Sequence, residues 1–549
     1  MRRSVLPALL AASLACATPP ARTGAPDAEA PPAAAGDPWW RGAVFYEVFV
    51  RSYQDSNGDG TGDLRGLLSR LDHLNDGDPA TTSDLGVDAL WLMPVFESPS
   101  YHGYDVVDYR AVERDYGTLD DLDALVAAAH ARGMKVVVDL VLNHTSVDHP
   151  WFRESVRSPD SPRRDFYLWS PTDLGWTQPW NPEGGSCWVP ARGAFYYALF
   201  WRGMPDLNYR TRAVREEAKA IASFWLERGV DGFRLDAARH LVENGPGRDL
   251  VDTPETHAFW KEFAAHVRKV KADAVLVGEV WTDPAVVATY YGSAAPGTRG
   301  DELDLLFDFE LAGSILAGVK AGDASGIAAT LELVRRTYPP GASDAPFLSN
   351  HDQVRVATAL DGDARGLALV AAILLTVPGS PFLYYGEEIG MRNGDGREDP
   401  WKRTPMAWTA GPGAGFTTGE PWIELAPGAA EASVAAQSGD TSSLLSRYRE
   451  ILRARRGSAA LRRGDLRILP AGPGTLAFLR RAGGETVLVV HNLSSAETAV
   501  GPVPAPGATS ARPLLADPAA SATFSAGSVT ARLPARSSAA WRIDAGGSP

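Results

Sequence analysis

Three carboxylates stand at the ends of three short apolar runs. Asp236 closes "GFRLDA" (232–237), Glu279 closes "AVLVGEV" (274–280), and Asp352 follows "APFLSN" (345–350). Two carboxylates flanking a bond are the minimum set for glycoside hydrolysis. One attacks the sugar or activates water, and the other protonates the leaving oxygen. Arg234, two residues before Asp236, falls on the same face of a strand and would hold that carboxylate ionised and oriented. Asp139, Asn143 and His144 close a fourth run, "KVVVDLV" (135–141), and His351 precedes Asp352. One aspartate at a strand end commonly caps the next helix. The joint placement of three is what points to chemistry.

A second concentration of charge lies in "DSNGDGTGDLRG" (55–66). Asp55, Asn57, Asp59 and Asp63 place oxygen donors at alternate positions, with glycines between them that allow a tight wrap. Such a set suits a hard cation, and the carbonyl of Thr61 would fill the next place. The loop begins like an EF-hand, but Gly66 stands where the bidentate glutamate should be. A solvated Asp/Gly turn is the plainer reading of the same residues.

The elements that must carry these residues alternate in type. Eight apolar runs, at 43–50, 88–95, 135–141, 232–237, 274–280, 304–309, 345–350 and 380–386, read as strands buried on both faces. Between them lie amphipathic stretches, clearest at 119–133, 211–229 and 253–272, with Gly133 placed to end the first. Alternation of this kind predicts an α/β fold, a (β/α)₈ TIM barrel spanning 39–456, with chemistry at the C-terminal ends of its strands. Residues 144–203, rich in Trp, Pro and Gly, interrupt the rhythm after the third strand as an excursion domain. After a last helix at 443–457, the short runs "LRIL", "TLAFLRR", "TVLVVHNL" and "SSAAWRI" predict an antiparallel β domain over 457–549.

The 549 residues suit more than one domain, and 45% hydrophobic residues can bury a large core. A net charge of −14 with no basic stripe argues against nucleic acid as a partner. Residues 1–16 read as an export signal: Arg2 and Arg3, then the apolar "VLPALLAASLA". "SLAC" resembles a bacterial lipobox, which would make Cys16 the lipidated first residue of a cell-envelope protein. Ala15-Cys16-Ala17 also fits ordinary cleavage and secretion. Residues 17–38 form a Pro/Ala-rich tether. The expected membrane contact is therefore at most an N-terminal lipid, and Cys187 has no disulfide partner in the mature chain.

"DLVLNH" (139–144), "GFRLDAARH" (232–240), "VGEVW" (277–281) and "FLSNHD" (347–352) resemble, in order, the four sequence regions of the α-amylase family of glycoside hydrolases, family 13. "YHGYD" (101–105), "MPDLN" (204–208) and "GSPFLYYGEE" (379–388) match further family segments. The resemblance implies Asp236 as nucleophile, Glu279 as general acid/base and Asp352 as the carboxylate that grips and distorts the sugar. It implies sugar-binding roles for His102, Tyr104, His144, Arg234, His351 and Arg403, with Arg239 and His240 on the acceptor side. The loop at 55–66 resembles the calcium loop after the first barrel strand of oligo-1,6-glucosidase-like members. A second calcium is implied at Asn143 and the carbonyl of His240. Calcium is the expected cofactor.

The resemblance also bears on linkage. "MPDLN" is intermediate between the "QPDLN" of oligo-1,6-glucosidases and the "MPKLN" of neopullulanases, as in a subfamily of exported α-amylases. Ala237 stands where valine accompanies α-1,6 specificity among glucosidase relatives. These features imply an α-amylase acting on α-1,4 bonds of starch and maltooligosaccharides. Cyclomaltodextrinase, neopullulanase or oligo-1,6-glucosidase activity is the alternative, and a non-catalytic glycan-binding protein is the reading from another class. A monomer is expected, since the tether leaves no room for an N-terminal dimerisation domain.

Overall fold

The computed structural model describes residues 37–293, 299–506, 508–525 and 527–545. The expectations for the leader, for Cys16 and for the tether up to residue 36 lie outside this set. No helix among the described residues is long and apolar enough to cross a membrane.

Eight parallel strands form one sheet: Phe45–Val48, Ala89–Leu92, Lys135–Leu140, Gly232–Leu235, Val275–Gly278, Leu305–Phe307, Ser343–Ala345 and Phe382–Tyr384. Their lateral order runs from the seventh back to the first and then to the eighth. A parallel bridge between Phe347 and Phe382 closes the sheet on itself. Bonds from Ser380 N to Asp344 O (2.8 Å) and from Phe382 N to Pro346 O (2.9 Å) reinforce that seam. The interior is filled by side chains from alternate strand positions, among them Phe45, Trp91, Val137, Val277, Phe307 and Phe382. Phe45 and Phe382 stack at 4.3 Å, so the barrel is a packed core and not a pore.

The observed strands are shorter than their apolar runs, because the residues beyond each strand are still buried in the barrel mouth. The seventh differs most. It was expected at 345–350 and lies at Ser343–Ala345. Pro346 has no N–H to donate, so regular pairing stops there and the chain leaves the sheet toward Asp352. An antiparallel pair, Phe96–Glu97 with Asp108–Val112, was not anticipated.

The helices start and stop where their caps dictate. Leu119–Ala131 begins with a Thr118/Asp121 capping box, and Gly133 follows at φ +77°. Pro254–Val270 has Thr253 as N-cap and proline at its first position. Arg212–Glu227 buries Val214, Ala218, Ile221, Ala222 and Trp225 on one stripe.

Residues from Asn143 to Leu207 form the excursion. It holds a three-stranded sheet, Trp169–Ser170, Ala194–Tyr197 and Trp188–Ala191, and the helix Pro150–Ser155. Two aromatic clusters replace an aliphatic core there, Phe152 with Tyr167 and Tyr196, and Trp176 with Trp188 and Tyr197. Bridges from His144 to Asp206 and from Tyr167 to Leu207 hold the two ends of the excursion together.

After the helix Leu444–Arg456, the C-terminal domain packs a five-stranded sheet against a three-stranded one. The four runs read from sequence are strands. Four more, at Thr498–Pro504, Ala508–Ala516, Ser521–Ser525 and Ser528–Leu533, were not legible. They are rich in Ala, Ser, Gly and Pro and give little alternation to read.

Candidate active site

The third, fourth and fifth strands run side by side, and their register brings the charges together. Asp139 lies opposite Arg234, and Gly278 lies opposite Leu235, so Glu279 follows directly beside Asp236. The Arg234 guanidinium is fully buried and joins the set. Nη1 lies 2.9 Å from Asp139 Oδ1 and 2.7 Å from Asp236 Oδ1, and Nη2 lies 2.8 Å from Glu279 Oε2. One cation therefore holds the proposed nucleophile and the proposed acid against each other.

The turn after the fourth strand is strained. Ala237 has φ +49°, a region costly for any residue with a Cβ. That geometry turns its amide toward Glu279, whose Oε2 accepts from Ala237 N at 3.1 Å.

Asp352 arrives from the seventh strand and meets two cations. Arg403 Nη2 donates to its Oδ1 at 2.9 Å, and His351 Nε2 lies 3.0 Å from its Oδ2. The other nitrogen of His351 lies 2.6 Å from Glu47 Oε1 on the first strand. Arg403 Nε also donates to His351 O, so the arginine braces this corner as well as pairing with the acid.

Five carboxylates, Glu47, Asp139, Asp236, Glu279 and Asp352, thus face three cations, Arg234, Arg403 and protonated His351. The excess is relieved by protons, and burial decides where they go. Burial opposes a charged His351, but Asp352 and Glu47 outweigh it and raise the imidazole to about 9. Burial likewise pushes Asp352 up, yet His351 and Arg403 overcome it and hold that carboxylate well below its ordinary range. Burial lifts Asp139 to about 7 against the pull of Arg234. Glu279 is also raised, first by burial and then by the charges of Asp236 and Asp352, with Arg234 opposing. The push from like charges is secondary to desolvation. Asp236 is raised by burial and Asp352, with Arg234 pulling back.

These groups open on a cavity of about 1120 Å³. Its lining includes His102, Tyr104, His144, Arg239, His240 and Arg403 together with Asp236, Glu279 and Asp352. Tyr104 donates to Asp139 Oδ2 at 3.0 Å and stacks on His351 with rings 5.5 Å apart. His102 Nδ1 accepts from Tyr104 N at 3.1 Å. His144 is neutral, because burial lowers it to about 4, and its buried Nε2 has no protein partner. That nitrogen is free to bond a hydroxyl in the cavity. Arg239 is committed to its neighbours, with Nε donating to Asp252 Oδ1 at 3.0 Å and Nη1 to Trp281 O at 2.8 Å.

Sequence reasoning did not single out several lining residues. Among the described residues only three tryptophans are exposed, Trp180, Trp201 and Trp281. Two of them line the cavity, Trp180 stacked on Phe200 at 5.4 Å and Trp281 on Phe309 at 4.4 Å. Trp281 lay within a quoted motif, directly after "VGEV". Trp180 and Phe200 sit in irregular loops, where no periodicity marks them. Glu47 was hidden as a strand residue whose partner, His351, arrives from elsewhere in the chain.

Two places offer oxygen donors for a metal. In the first, Asp55, Asn57, Asp59, Thr61 and Asp63 share one loop held by its own amides. Asp55 Oδ1 accepts from Asn57 N and Gly58 N, Asp59 Oδ1 accepts from Thr61 N, and Asp63 caps the helix Leu64–Ser69. Among the described residues no three or more His, Cys, Asp or Glu side chains close into a metal cluster; the donors of this loop are all oxygen, the chemistry a hard cation takes. Gly60 is at φ +91°, and a Cβ there would lie 1.8 Å from Glu420 O, so the wrap depends on glycine. In the second, Asn143 Nδ2 donates to His240 O at 2.5 Å. Asp206 Oδ2 and Glu243 Oε1 are buried without partners, and burial lifts Glu243 to about 8. Orphaned buried oxygens beside Asn143 fit the donor set of a calcium site better than a finished core does. Neither acid was picked out from sequence.

Residues 47–464 match the family described as "Alpha amylase, catalytic domain". Alpha-amylase 3 of Dictyoglomus thermophilum is 41% identical over 469 residues, covering 84% of this chain and 86% of that one. The trehalose synthase/amylase TreS of Mycobacterium tuberculosis is 39% identical over 514 residues, covering 83% and 82%. The crystal structure of α-amylase from H. orenii superposes with a TM-score of 0.81 at 37% identity, covering 92% of this chain and all of the other. Barrel, carboxylate cluster and relatives agree, and the chain belongs to the α-amylase family of glycoside hydrolases, family 13.

Proposed function

We propose that this glycoside hydrolase is a retaining α-amylase that cuts α-1,4 bonds of starch and maltooligosaccharides. The observation that carries the reading is the Arg234 bridge. A single guanidinium contacting both Asp236 and Glu279 keeps their carboxyl groups close. Close pairs, about 5–5.5 Å apart, support double displacement, whereas inverting pairs stand about 6.5–9.5 Å apart to admit a water.

The chemistry follows from where charge is held. Arg234 favours the ionised form of Asp236, which attacks the anomeric carbon. Glu279, protonated through burial and neighbouring charge, gives its proton to the departing oxygen as the glycosidic bond breaks. The sugar is then covalently held by Asp236. Glu279, now a base, takes a proton from water, and the water oxygen displaces Asp236 and restores the α configuration. Asp352, ionised against His351 and Arg403, accepts hydrogen bonds from sugar hydroxyls and holds the ring in a distorted shape. Tyr104 supplies a stacking face, and His144 Nε2 a further hydroxyl contact.

Support for starch as substrate comes from the named activities of Alpha-amylase 3 and the H. orenii enzyme. Ala237 presents only a methyl beside the nucleophile, and one methyl discriminates by about 1–3 kcal/mol, so a minor α-1,6 activity is expected. A relative at 39% identity carries the name trehalose synthase/amylase, so kinship at this level spans more than one named activity. Calcium in the 55–66 loop belongs to the same proposal, in a structural role.

Asp236→Asn and Glu279→Gln should each reduce release of reducing ends from soluble starch by at least about 10³-fold, with unchanged circular dichroism. Near-normal turnover by either variant would remove its assignment. Maltotetraose should turn over faster than isomaltose. The reverse order would favour an oligo-1,6-glucosidase, and cyclodextrin outpacing starch would favour cyclomaltodextrinase.

A further inference from the structure

The excursion domain holds one exposed tryptophan that the cavity does not use. Trp201 is 54% exposed, yet Phe200 beside it in sequence and Met204 three residues later both line the cavity. A solitary surface aromatic usually calls for no explanation. Three features set this one apart.

The backbone around Trp201 is pinned. Gln178 Nε2 donates to Leu199 O at 2.7 Å and to Phe200 O at 2.9 Å. Met204 N donates to Trp201 O at 2.7 Å, and Tyr196 OH donates to Arg202 O at 2.7 Å. A ring carried on so fixed a segment loses little freedom when a ligand stacks on it. The ring also has a defined seat. A Cβ at Gly203 would lie 1.9 Å from the indole, so the ring lies against that glycine. Finally, Phe200, next to Trp201 in the chain, belongs to an aromatic group at the cavity. Trp180, also 54% exposed, stacks on Phe200, and Phe200 sits 5.6 Å from both His144 and His240.

We propose that Trp201 is the outer platform of an aromatic track, Trp201–Phe200–Trp180, along which α-glucan longer than the cavity is held on the domain B side. Glucose rings offer apolar C–H faces to an indole, and successive units of an α-1,4 chain present such faces repeatedly. No catalytic contact is involved. Trp201 acts on the affinity for long chains alone. The inference rests on the α-glucan reading above.

The test compares wild type, Trp201→Ala and Trp201→Phe on amylose and maltotetraose. Loss of one stacking contact should lower kcat/KM on amylose about tenfold through KM, with partial recovery in the Phe variant. Maltotetraose kinetics and melting temperature should not change. Equal losses on both substrates would mean a structural role and overturn the track, and so would unchanged amylose kinetics. Affinity electrophoresis through amylose separates this from the main reading. The Glu279→Gln variant should be retarded, and adding Trp201→Ala should relieve that retardation. If wild type leaves amylose uncut while this difference persists, the substrate reading fails and the track stands. If the second substitution leaves the retardation unchanged, the track fails whatever the enzyme cuts.

Discussion

His351 shows how one side chain organises the site. Its two nitrogens contact Glu47 and Asp352, Tyr104 stacks on it, and it is buried. Its pKa rises to about 9 from an ordinary value near 6.5. A raised value means that the charged form is stabilised by folding. That contribution is complete below about pH 6.5 and is lost as pH climbs through about 9. On the order of 3 kcal/mol is at stake. Asp352, being depressed, works in the opposite sense, and its contribution is lost only in strong acid. Melting temperatures of wild type and His351→Gln should therefore differ clearly at pH 6 and converge toward pH 10. A gap of equal size at both pH values would show that shape, not charge, is what His351 supplies. The catalytic pair has its own limits. Activity should fall on the alkaline side as the raised Glu279 loses its proton, and on the acid side as Asp236 gains one.

At the scale of elements, the barrel was legible because its strands are buried on both faces and read as apolar runs. Helix starts were legible because caps carry local chemistry, as Thr118 with Asp121 and Thr253 with Pro254 do. The strand ends were not, since Pro346 and the buried mouth residues look like strand until their partners are known. The same limit hid Glu47, Glu243 and Trp180, which become functional only by meeting residues far away in sequence. The motif residues were legible through family resemblance, and the structure brings Arg234 against Asp236 and Glu279, and His351 and Arg403 against Asp352. The 55–66 loop is the element whose role is most open to experiment. It joins the first strand to its helix and is stapled to residues 416–422, with Asp55 N donating to Phe416 O and Trp422 N to Gly60 O, both at 2.9 Å. A cation bound there would stabilise that junction by mass action. Chelator should lower the melting temperature of wild type by several degrees, and Asp59→Ala should abolish the sensitivity. A wild type indifferent to chelator would count against the loop as a calcium site.

For the whole molecule, the division of labour is between a rigid barrel and the segments it carries. The barrel mouth fixes the charges to within hydrogen-bonding distances. The excursion domain supplies an aromatic wall, and the C-terminal domain closes the far side, where Arg480 donates to Thr376 O at 2.6 Å. Charge on a packed scaffold suits bond cleavage, and the excursion carries the track proposed above for longer chains. The most direct test is a proton NMR time course of soluble starch with fresh enzyme. The account predicts loss of the α-1,4 anomeric signal, with new reducing ends appearing first in the α configuration and only later equilibrating to β. New ends appearing first as β, or an undiminished α-1,4 signal, would contradict it.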